Sequence, residues 1–218
     1  MRKLLVLGLV LASVNGFGFG LSSVTDKKES SKKVDTASIE GGQKKAATAY
    51  MSAIGDINLA QQHLLVALGL KDKADALKKE AASYGKGNVD KEKISKRTEL
   101  TEETNKAIKE KMKEKAPLSA ESKKEFVIAL PLLASGTSQT AKLIPTVVEL
   151  GKGAADAVSS AGLSGAMAAK DKVGMAISLA SIVPGAMKDC LSTTKMAMDF
   201  AKSNNIDVSN ASAKLGAL

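Results

Sequence analysis

His63 is the only histidine and Cys190 the only cysteine in the 218 residues, so the commonest catalytic and metal-binding side chains occur once each. A thiol nucleophile would need the imidazole to take its proton. Cys190, however, falls on an apolar helical repeat, where a cysteine packs as a small, inert hydrophobe. His63 lies between Gln62 and Leu64, at the edge of another apolar stripe. A structural zinc site takes four converging ligands, more than one His and one Cys supply.

Two Gly-Lys-Gly triplets, Gly85-Lys86-Gly87 and Gly151-Lys152-Gly153, suggest anion cradles. Neither has a strand before it, a helix after it or the Lys-Ser/Thr ending of a phosphate loop, and both read as helix stops. Glu102 and Glu103 are neighbours in sequence, so on a helix they point about 100° apart and cannot share a proton or a metal. They read as favourable charge at a helix N-terminus. No catalytic, cofactor-binding or metal-ligating residue is assigned, and the expectation is a non-enzymatic protein without a cofactor.

The elements that hold these residues begin with an export signal over residues 1–20. Arg2 and Lys3 are followed by the apolar run Leu4 to Val14 and by Gly16, Gly18 and Gly20. Such a run suits a secretory leader and is short of the ~20 residues a helical span requires. Cleavage is expected after Gly16, Gly18 or Gly20, which makes the mature chain periplasmic or secreted, in a bacterium. Cys190 alone cannot form an intramolecular disulfide, so stability in an oxidising compartment must come from packing. Residues 21–37, rich in Ser and Lys, lack an apolar face and read as a flexible linker.

The chain carries a net charge of +9, no Trp and 3% aromatic residues. Nucleic acid is not expected as a partner, because export and the lack of a stacking platform both argue against it. The lysines instead decorate solvated helix faces. Ala, Lys, Leu, Glu and Met dominate and favour helix.

The pattern predicts an all-α fold, a bundle of five or six helices over residues 38–206 with a weakly ordered tail at 207–218. Ala47, Tyr50, Ile54, Ile57, Gln61, Leu64 and Leu68 recur at steps of three and four, which makes a helix over about 38–68 with Gln61 as a polar interruption. Gly69 is placed to cap it. A second helix is predicted over 72–84, carrying Ala74, Leu77 and Ala81. The charged stretch 90–116 divides into a short helix capped by Asp90 and another capped by Thr101. With only Leu100, Ile108 and Met112 firmly apolar, it reads as an outer arm or an element docked by a thin edge.

Ser119 caps the next helix, whose stripe runs Phe126, Leu130, Leu133, Thr137, Ala141, Ile144 and Val148 until Gly151 and Gly153. The last long pattern is Val173, Ile177, Ala180, Val183, Met187, Cys190, Thr194, Met198 and Ala201, ended by Asn204 and Asn205. Pro131, Pro145 and Pro184 fall inside these two stripes, so kinks or breaks are expected there. The first helix and these two are predicted to form the core. Their long uncharged runs suit central bundle helices better than membrane spans, given their length.

The function expected from this pattern is binding of another macromolecule, a protein partner in the cell envelope, through a helical surface. The alternative is a lipid-binding or membrane-active, pore-forming-like helical protein that meets an anionic lipid surface.

Overall fold

The computed structural model describes residues 36–84 and 88–216. The export signal, the linker up to residue 35 and the Gly85-Lys86-Gly87 triplet lie outside the described residues. Thr36 and Ala37, assigned to the linker, belong to the first helical turn.

The described residues form six helices and no strand: α1 (Thr36–Ala67), α2 (Lys71–Tyr84), α3 (Lys91–Lys113), α4 (Ala120–Ser160), α5 (Gly162–Ser203) and α6 (Ser209–Leu215). The all-α fold follows from the three-and-four spacing, because each helix then has one stripe to shelter from water. All seven residues of the predicted α1 stripe are buried, Gln61 included. Gly69, at φ 77°, ends the helix as expected; its N–H reaches Val66 O, and Leu70 N–H reaches Leu65 O at 2.8 Å. Asn205, at φ 58°, closes α5 in the same manner, with Ile206 N–H on Ala201 O.

α1, α4 and α5 pack on one another as the core. α4 runs antiparallel to both neighbours, turning into α5 at Ala161 and Gly162 (φ 64°). Thr137 and Thr194 meet across that hairpin at 3.0 Å. α1 and α5 are therefore parallel, and the Gln43 amide joins them. It donates to Lys172 O and accepts from Ala176 N–H at 2.9 Å, the two backbone groups that one helical turn separates. The far end of the bundle is a smaller cluster of Ile39, Ala154, Ala157, Val173 and Ala176.

The structure departs from the expected elements at several points. Residues 91–113 are a single helix capped by Asp90, whose carboxylate accepts from Lys93 N–H at 2.8 Å; Thr101 is interior to it and caps nothing. α4 continues through Gly151 and Gly153 to Ser160; Gly151 is a contact point where a side chain would strike Ala180, while a side chain at Gly153 would make only ordinary contact with Ile39. Of the kinks or breaks expected at Pro131, Pro145 and Pro184, a break occurs at none, and the helices run on through all three. The buried face of α5 keeps Val173, Val183, Cys190, Thr194 and Ala201 of the predicted stripe and adds Ala176, Leu179, Ala186 and Ala197, whereas Ile177 is 37% exposed. Small alanines let α5 approach its neighbours more closely than larger side chains would allow. The tail also carries the seven-residue α6, with Ile206 and Ala211 buried against the core.

Candidate functional site

α3 lies in the groove between α1 and α5, and polar side chains fix it there. Its inward positions are Ile94, Arg97, Thr98, Thr101, Asn105, Ile108 and Met112, a three-and-four repeat in which four of seven residues are polar. Arg97 Nε donates to Asn58 Oδ1 at 3.0 Å, and Asn58 Nδ2 donates to Gln61 Oε1 and to Thr101 Oγ1. Gln61 Nε2 in turn donates to Thr101 O and to Asn105 Oδ1, both at 2.8 Å. Asn105 Nδ2 reaches Asp189 Oδ2 on α5 at 2.7 Å, and Lys109 Nζ closes the chain on Asp189 Oδ1. Beside this network the Tyr50 hydroxyl meets Thr98 Oγ1 at 2.9 Å.

No buried side-chain nitrogen or oxygen among the described residues lacks a partner. A buried polar group left unpaired is costly, so this seam admits one register of α3 on α1 and α5. Burial lowers the pKa of the Arg97 guanidinium.

The single cysteine belongs to this seam. Cys190 is 1% exposed, and its Sγ faces Asn105 Nδ2 at 3.8 Å. Burial above all, then the neighbouring Asp189 and Glu102 charges, pushes its thiol up to about 12, against the partial offset of the Asn105 bond. A thiol so placed stays protonated and is a poor nucleophile. His63 is engaged elsewhere: its Nδ1 lies 2.6 Å from Glu125 Oε2 across the α1–α4 seam. The structure thus gives each member of the conceivable dyad a different partner. Glu102 and Glu103 lie mid-α3 instead of in a first turn; the Glu102 carboxyl is raised by partial burial and then by Asp189 and Glu99. Among the described residues no three His, Cys, Asp or Glu side chains gather as a metal would require.

Met167 on α5 is the most exposed large apolar side chain, and it stands alone; a paired apolar exposure lies where α1 meets α4. Two polar clasps bound it: Gln139 Nε2 donates to Asp56 Oδ2 at 3.0 Å, and His63 pairs with Glu125. Asp56, Leu59 and His63 share one face of α1, while Glu125, Ile128, Leu132 and Gln139 share one face of α4, by helical spacing. Between the clasps Leu59 is 43% exposed and Ile128 47%, and the adjoining Val127 is 55% exposed. Single exposed apolar residues are ordinary; Leu59 and Ile128 are set apart because they share one helix seam between polar clasps, whereas Val127 turns about 100° away from Ile128 around α4. Sequence reasoning missed this surface because it expected α4 to be covered on all sides. α2 and α3 instead pack against α1 and α5.

Against models of known families, curated proteins and solved structures, the chain has no match.

Proposed function

We propose that this protein is exported, has no enzymatic activity of its own, and binds a protein partner of the bacterial envelope through the α1–α4 surface centred on Leu59 and Ile128. The exposure of those two side chains on one seam carries the reading. Interfaces concentrate their energy in a few apolar anchors ringed by polar groups. Leu59 and Ile128 would be the anchors, and the Asp56–Gln139 and His63–Glu125 pairs the rim. The seam that locks α3 supports the same reading, since a rigid scaffold lowers the ordering cost of binding. Export rests on the leader pattern of residues 1–20.

A photo-crosslinking residue at Ile128, with Lys152 at the far end of α4 as the control position, tests the proposal. In the cells that make the protein, Ile128 should yield one defined companion outside the cytoplasm, and Leu59→Glu should abolish the product. N-terminal sequencing of the same material should begin just after Gly16, Gly18 or Gly20. Equal capture at Lys152, or a purely cytosolic chain with its leader intact, would sink the reading.

The second reading, a lipid-binding helical protein, is favoured by a separate apolar cleft where α3 and α5 finish. No helix among the described residues is long and apolar enough to cross a membrane.

A further inference from the structure

The turn after α3 and the last turns of α5 enclose a cleft of about 630 Å³. That lies inside the ~300–1,000 Å³ range of small-ligand sites. Met112, Pro117, Met196 and Phe200 supply its apolar walls. Phe200 is held from behind by Phe126, ring centroids 5.5 Å apart. The mouth is fixed as well: Asn204 Oδ1 accepts from Leu118 N–H at 2.9 Å and ties the turn to the end of α5. Methionine adapts its shape to flexible aliphatic chains at low cost.

The charge at the mouth is one-sided. Lys113 and Lys115 both line the cleft, and neither has an acidic partner among the described residues. The nearby Glu114 is taken by Lys111, and Asp199, the one acid on the lining, faces Lys202 at 3.9 Å. Lys115 is held at φ 53°, a left-handed conformation unfavourable for a residue with a side chain. An apolar pocket with two unpaired cations at its lip complements one ligand chemistry, an aliphatic tail ending in an anion.

We propose that this cleft binds a single-chain fatty acid, its tail between Met112, Met196 and Phe200 and its carboxylate at Lys113 and Lys115. This deepens the lipid-binding reading and shares no residue with the α1–α4 surface, so either proposal can fail without the other.

The test is a titration of the full chain with cis-parinaric acid, whose fluorescence rises on leaving water, and with its methyl ester. One saturable site is expected, with the ester about tenfold weaker, a factor worth about 1.4 kcal/mol. Lys113→Glu with Lys115→Glu should weaken the acid about tenfold and leave the ester unchanged. Ser203→Trp, placed on the lining, should remove binding of both ligands with helicity intact by circular dichroism. Absence of saturable binding, equal affinity for acid and ester, or an unaffected charge-reversed variant would overturn the proposal. The charge-reversed variant keeps it falsifiable if the tryptophan variant fails to fold, because both lysines are exposed.

Discussion

Asn105 joins three helices through one amide: its oxygen accepts from Gln61 on α1, and its nitrogen donates to Asp189 on α5. Replacing it by alanine leaves a Gln61 donor and an Asp189 acceptor short of a partner at once. Asn105→Ala is therefore expected to cost about 2–4 kcal/mol, read from the urea midpoint. The neighbouring Cys190 makes a pH-dependent contribution. Its thiol is raised from 9.0 in the unfolded chain to about 12 in the fold, so the folded state keeps a proton that the unfolded state releases. That contribution is complete below pH 9 and declines as pH climbs toward 12. Tyr50, also raised by burial from 10.0, joins the same trend only above pH 10. Between pH 9 and 10, Cys190→Ala should flatten the fall in stability, and the native thiol should react with a disulfide reagent only as the protein unfolds. At this scale the sequence was half legible. Gln61 stood out because it interrupts an apolar stripe, but its partners Thr101 and Asn105, like the Thr98 that meets Tyr50, are residue types that ordinarily face water. Their signal was a three-and-four spacing within a run of lysines and glutamates, which an apolar count passes over.

Helix existence was legible from spacing alone, and helix boundaries were legible wherever a cap forms a specific bond. Asp90, Ser119, Gly69 and Asn205 all mark ends as expected. Glycine misled at Gly151 because the residue that terminates a helix is also the residue that lets two helices touch. Only the partner helix distinguishes the two uses, and sequence pattern does not show it. Gly136 has the same role. A Cβ there would lie 2.6 Å from Ile57 Cγ1 and 2.7 Å from Ala53 O, the second a backbone atom that cannot swing aside. Gly185 on α5 faces open space. Gly136→Ala should lose about 1–3 kcal/mol, while Gly185→Ala should gain about 0.5–1 kcal/mol by removing backbone freedom from the unfolded chain. Thermal melts of the two variants should thus move in opposite directions. The part of the α5 face that was missed has the same origin: alanines such as Ala176, Ala186 and Ala197 carry little weight in a hydrophobic stripe, yet they set how near two helices can lie.

The molecule as a whole carries two separate candidate surfaces, both toward the end of the bundle where α4 begins and α5 finishes. One exposed patch lies on α1 and α4, and the methionine-walled cleft sits where α3 and α5 finish; neither was visible beforehand, because both depend on which helix covers which. The core triad of α1, α4 and α5 was visible, since these are the longest stripes. What joins α3 to that triad is polar, and one of its bonds is the Tyr50 hydroxyl on Thr98. The chain has no tryptophan and two tyrosines, and the other, Tyr84, sits near the surface with its hydroxyl on Glu80. Tyrosine emission is therefore not drained by energy transfer to an indole, and its buried share comes from one ring at the α1–α3 contact. The unlabelled protein carries its own optical gauge of whether α3 is seated, and Tyr84→Phe would leave that gauge reading from a single point.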